Sequence, residues 1–320
     1  MPSPPGVESR LLGRVTDLQR AALPPVDRST FVRSSWRGMC SGLVCALATC
    51  FYPQSRHDLL RAFRLPRPTR ALLIGAGLAY WVNFGAFNVA LEHTSISHAA
   101  LFESCSSLYM VAAQACTGAR LPTLHRVGVL VGVLGAVATL AEQQEGGGGL
   151  SASALGDIAA LAAGAGAAVY LVLAEKLRTS IDVLAFYALL QLQFAVLCLA
   201  AAAVLDSVPP SFAEPLDAQH GILGWLQPTP ARLGAQLWLA LIVDLAGNFG
   251  FIAVMKYVPA LTVAAAMLLG PLTSTLEGIA VGVDQLPGPW TLAGALLITA
   301  GSGLITFASN EHRTTTVAIE

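Results

Sequence analysis

Nine stretches of this chain, at about 31–52, 71–91, 96–118, 124–141, 154–174, 181–205, 235–255, 260–282 and 290–308, are almost free of charge. Crossing a bilayer core takes roughly 20 apolar residues at a helical rise of 1.5 Å each, and most of the nine reach that length. A soluble helical bundle would carry a charged face on each helix. Those faces are missing: the chain is 55% hydrophobic and 12% charged, against about a quarter charged in a typical soluble protein. The expected fold class is all-α, a polytopic transmembrane helix bundle. The protein is expected to be integral to a membrane and multi-pass, in a plasma or organelle membrane that the sequence leaves undetermined.

A net charge of −1 excludes a nucleic-acid partner, which needs clustered excess Lys and Arg. The six cysteines, Cys40, Cys45, Cys50, Cys105, Cys116 and Cys198, all fall within the expected spans and show no CxxC spacing, so they read as small packing residues rather than a metal or disulfide set. Residues 1–30 lack the apolar core of a secretory signal peptide and read as an N-terminal tail. The sequence contains no HExxH, GxSxG, P-loop or intramembrane GxGD motif, so no enzyme, cofactor or metal site is expected.

Lys and Arg set the orientation of such a protein. The loops after spans one, three, five and seven, together with the C-terminus, hold eleven; the loops on the opposite side hold one. This places 53–70 and the C-terminal tail, 309–320, in the cytoplasm. Nine spans then put the N-terminus outside, against the pull of Arg10, Arg14, Arg20, Arg28, Arg33 and Arg37.

The segment "NFGAFNVAL" (83–91) repeats its first three letters in "NFGFIAVM" (248–255). Slid by 165 positions, Asn83-Phe84-Gly85 falls on Asn248-Phe249-Gly250, Val89 on Val254, Ala99-Ala100 on Ala264-Ala265, and Leu121-Pro122 on Leu286-Pro287, without a gap. The copies begin in spans two and seven. Five crossings separate them, so they thread the membrane in opposite directions, the inverted-topology construction of many secondary transporters. The two halves expected are residues 31–145, with four spans, and 154–308, with five, joined by a Gly-rich linker at 146–153.

Two segments carry a resemblance. "ALEHTSISHAALFESCSSLYMVAAQACTGARLPTLHRVGVLVGVLGAVATL" resembles the third to fifth helices of the EamA-like family of the drug/metabolite transporter (DMT) superfamily. "AVMKYVPALTVAAAMLLGPLTSTLEGIAVGVDQLPGPWTLAGALLITAGSGLI" resembles the same region of that family's second half. The resemblance implies ten helices in two inverted sets of five and movement of small metabolites; the family's first helix has no counterpart among residues 1–30. The expected function is secondary transport of small organic metabolites by alternating access, and the alternative is a non-transporting membrane scaffold. The expected partners are a small-molecule solute, a coupling proton and membrane lipid, with a homodimer left open.

Ionisable residues inside spans point to sites, because each costs roughly 2.5–3.5 kcal/mol unpaired at the membrane centre. Glu103, Asp244 and Glu277 are the three. At 100° per residue, Ser106, Ser107, Gln114 and Thr117 fall near the face of Glu103, predicting a polar stripe turned into the bundle. Glu277 shares a face with Thr273, and Gly270-Pro271 is expected to interrupt their helix near its middle. Asp244 and Asn248, four apart, share a face. Asn83 and Asn248 read either as a packing joint copied with its half or as direct contacts to cargo. Candidate substrate-binding residues are therefore Asn83, Glu103, Ser107, Gln114, Asp244, Asn248, Thr273 and Glu277. Tags at residues 92–95 and 256–259 should be reached from opposite sides of the membrane in an accessibility assay; labelling from one side would remove the inverted architecture.

Overall fold

The protein is described by a computed structural model, which covers residues 30–94, 96–116, 123–145, 150–206, 209–217, 220–226, 234, 237–258, 263–264, 267, 279 and 288–317. Among these residues the chain is helical, without a strand beyond one isolated bridge between Ser211 and Gly221. The elements run α1 (Thr30–Ala48), α2 (Pro53–Arg61), α3 (Arg67–His93), α4 (Ile96–Glu103), α5 (Ser106–Cys116) and α6 (Thr123–Glu145). They continue with α7 (Leu150–Leu177), α8 (Val183–Leu205), a π-helical segment (Trp238–Asn248), α9 (Phe249–Val254) and α10 (Pro289–Val317).

Among the described residues, α3, the Ala154–Leu177 part of α7, and α8 are long and apolar enough to cross a membrane, and Thr123–Ala138, Trp238–Val254 and Pro289–Ile305 are shorter apolar helices. The protein is membrane-embedded. Its outer surface fits that medium: Leu130, Val137, Ile158, Val196, Leu296 and Phe307 are each more than half exposed, a density of large apolar groups that water would not tolerate. Local chemistry sets the helix starts. Proline stands in the first turns of α2 and α3, where its missing N–H goes unused. Asp182 caps α8 by accepting from the Leu184 N–H at 3.1 Å.

One expected span is not continuous. Residues 96–118 were expected as a single helix, yet the helix ends at Glu103, turns through Ser104 and Cys105, and restarts at Ser106. Ser104 bonds its hydroxyl back to the Ala100 carbonyl at 2.8 Å, and that local competition for a helical acceptor is a known way to bend a helix. The expected break at Gly270-Pro271 lies outside the described residues.

Helices pair along their lengths: α3 with α7, α6 with α10, and α1 with α8. At one end of the bundle the first N–H groups of α1, from Phe31 and Val32, donate to the Asp206 carboxylate at 3.4 and 3.2 Å, and Thr30 donates to Glu92. At the other end the Asp182 N–H donates to Asp58 at 3.0 Å, with Ser55 donating to Asp182. Residues 53–61 and 178–182 thus lie at one end, as the alternation of spans requires.

Small residues let the backbones approach. A Cβ on Gly128 would lie 2.6 Å from the Gly301 carbonyl oxygen, and one on Gly135 would lie 2.7 Å from that of Gly294. These are the close helix contacts that lipid-embedded packing favours. Gly303, by contrast, has nothing within 4 Å of its Cβ position. Gly128→Leu should therefore lower stability by about 1–3 kcal/mol through overpacking, read as a lower thermal midpoint in detergent, while Gly303→Leu should leave the midpoint unchanged.

Candidate functional site

The deepest polar cluster is built on Asp244, which is fully buried. The Arg37 Nε donates to its two carboxylate oxygens at 2.9 and 3.0 Å, and Arg37 Nη2 closes on the same group. The Ser41 hydroxyl donates at 2.6 Å and the Asn248 amide at 3.2 Å. Sequence spacing explains the convergence: Arg37 and Ser41 are one turn apart on α1, and Asp244 and Asn248 are one turn apart on the opposing segment. That segment is wound as a π-helix, so the Phe249 N–H reaches back five residues to the Asp244 carbonyl. The same carbonyl accepts the Tyr187 hydroxyl at 3.0 Å. Gln191 then donates to Tyr187 at 2.7 Å and to the Tyr80 hydroxyl at 3.4 Å. The Arg37 guanidinium also lies 5.1 Å from the centre of the Phe84 ring, within cation–π range.

The second cluster is built on Asn83, which is 3% exposed. Its amide nitrogen donates to Glu103 at 2.9 Å and to the Ala163 carbonyl at 3.0 Å. Glycines of α7 bring these groups within reach. A Cβ on Gly166 would lie 2.7 Å from the Asn83 backbone nitrogen, and one on Gly164 would lie 2.8 Å from the Phe102 carbonyl oxygen. Any larger residue would push α3 and α4 off α7.

Between the clusters lies a narrow, partly open cleft of about 20 Å³, lined by Tyr80, Asn83, Phe84, Tyr170, Asn248 and Phe251, with aliphatic and Met side chains completing it. Tyr80 packs edge-on against Tyr170 and Phe194, with centroids 5.0 and 5.3 Å apart. The two asparagines of the duplicated word face one cavity, and each donates to a carboxylate behind it.

Four of the eight expected binding residues thus come together: Asn83 and Asn248 on the cleft, Glu103 and Asp244 one hydrogen bond behind. Two do not. Ser107 is buried against α10, its hydroxyl donating to Ser302 at 2.9 Å, and Gln114 is exposed. The expected stripe assumes one continuous helix, whereas a two-residue turn at Ser104–Cys105 separates Glu103 from both. Thr273 and Glu277 lie outside the described residues. His98 lies 3.0 Å from Thr291 and 3.7 Å from Asp157. Sequence reasoning missed Arg37, counting it with the basic tail. The signal was present, because a buried Asp in lipid calls for a cation and Arg37 is itself within a span.

No family model matches the chain, and no curated protein matches it. A solved structure shares its fold. One crystal structure of a protein is similar over 94% of this chain and 93% of its own, with a TM-score of 0.56 and 21% sequence identity, and it is among 24 solved chains that match. At that identity the likeness establishes the fold alone.

Breaking a buried pair by removing one partner leaves an uncompensated charge, whereas replacing both by apolar groups does not. Arg37→Met should cost about 3–5 kcal/mol, and adding Asp244→Leu to it should recover most of the loss. Thermal unfolding of the two single variants and the double variant in detergent checks the pair.

Proposed function

We propose that this protein is a secondary transporter of small organic solutes, alternating access between two inverted repeats, residues 31–145 and 154–308. One observation carries the reading: two asparagines that the 165-residue shift superimposes line one cleft, which is where inverted-repeat carriers hold their cargo. Supporting it, the helices that supply the neighbouring carboxylates are irregular at those residues. One turns immediately after Glu103, and the other is π-helical through Asp244. Irregular backbone at membrane depth is tolerated where it lines a cavity or is buried in protein. The resemblance to the EamA-like family points to the same activity, with the C-terminus in the cytoplasm.

The coupling proton is assigned to Glu103. Arg37, Ser41 and Asn248 already donate to the Asp244 oxygens, whereas the hydrogen bond to Glu103 comes from a neutral amide. Proteoliposomes preloaded with pools of labelled amino acids, organic acids, amines and nucleosides should show counterflow for one pool. Asn248→Ala should lower that counterflow about tenfold, the worth of one lost hydrogen bond to cargo. Glu103→Gln should retain counterflow at saturating solute and lose the response to an imposed pH gradient. Absence of counterflow with every pool would replace transport by the scaffold role, and a pH response surviving in Glu103→Gln would move the proton elsewhere.

A further inference from the structure

We infer that the cleft between Asn83 and Asn248 takes a small organic cation, a protonated amine, as its ligand. The inference rests on the transport reading for the ligand's movement across the membrane, but not for its binding.

The asparagines cannot present their amide groups freely. Asn83 uses its nitrogen on the Glu103 carboxylate and the Ala163 carbonyl, both of which accept hydrogen bonds and do not donate. Asn248 turns its nitrogen to the Asp244 carboxylate. Each side chain is oriented by an acceptor behind the cleft wall, which leaves its carbonyl oxygen as the polar atom for a ligand. The cleft therefore offers acceptors from both repeats, and its natural complement carries N–H donors.

The remaining wall is aromatic. Tyr80, Phe84, Tyr170 and Phe251 line the cleft, and the face of an aromatic ring carries negative potential that attracts a cation. Arg37 already exploits this, with its guanidinium 5.1 Å from the Phe84 centroid.

The charges nearby decide the sign. Asp244 is matched by Arg37. Among the described residues, no Lys or Arg stands within ion-pair distance of Glu103, whose hydrogen-bond partner is Asn83. Arg37, paired directly with Asp244, is thus shared between two carboxylates, Asp244 and Glu103, and with both ionised the cluster carries one net negative charge a single hydrogen bond from the cleft, in surroundings where the weak screening of buried charge extends its field. An anionic ligand would meet this field and find both N–H groups of Asn83 and one of Asn248 already engaged, with the Nε and Nη2 of Arg37 held by Asp244. A neutral ligand would gain the carbonyls without the field.

The test is a matched set of three small probes of like size: propylammonium, 1-propanol and propionate. The full chain, purified in detergent, is titrated with each at one ionic strength, and the shift in thermal midpoint reports binding. Propylammonium should raise the midpoint saturably, and the other two should not. Glu103→Gln, which keeps an acceptor for Asn83, should weaken propylammonium about tenfold through loss of the field, and Glu103→Asp should restore it. A larger shift with propanol or propionate, or none with any probe, would overturn the inference without needing a variant. Unchanged affinity in Glu103→Gln would overturn the role given to that carboxylate. Saturable binding with no counterflow of labelled propylammonium in proteoliposomes would leave the site standing and remove transport of the amine.

Discussion

The bundle turns on one ion pair at membrane depth. An isolated carboxylate inside lipid is expensive, and Asp244 is tolerated because Arg37, Ser41 and Asn248 saturate it. The consequences spread outward from that pair. It fastens α1 to the π-helical segment across 207 positions of sequence. It sets Asn248 in the cleft wall, and through the Asp244 carbonyl it anchors Tyr187, and then Gln191 and Tyr80. A buried ion pair adds little net stability over a well-packed apolar substitute. Its effect here is positional: it defines which groups face the cleft.

Small residues make the second half of the site possible. Asn83 reaches both Glu103 and a carbonyl of α7 because α7 carries glycine at 164 and 166, where a Cβ would collide with α4 and α3. Without a hydrophobic force between helices in lipid, such close approach and the hydrogen bonds it allows are what associate them. The glycines and the asparagine form one device. The first shortens the distance, and the second uses it.

Both carboxylates also sit where helical regularity fails. The turn after Glu103 and the π winding through Asp244 free or redirect backbone groups, and π segments are frequent at functional sites. Irregular winding is a place where a helix can change shape at lower cost than in its regular parts. An alternating-access carrier needs that property next to its cargo, and a rigid scaffold does not.

How much of this was legible in the sequence divides by the range of the physics. Each apolar stretch that the structure describes is helical, because burial in lipid and the need to satisfy the backbone act within one segment. The i, i+4 meeting of Asp244 with Asn248 followed for the same reason. The duplicated asparagines stood out as polar groups within spans, and the structure puts both on one cleft. The stripe on paper set Ser107 and Gln114 on the face of Glu103, whereas the structure bonds Ser107 to Ser302 and leaves Gln114 exposed, beyond a two-residue turn that no periodicity announces. The partner of Asp244, the hydrogen bond from Asn83 to Glu103 and the placing of Asn83 and Asn248 on one cleft were settled only by tertiary packing. Those contacts join residues from 20 to 207 positions apart, and no periodicity along a single helix encodes which face of a distant helix will answer a charge.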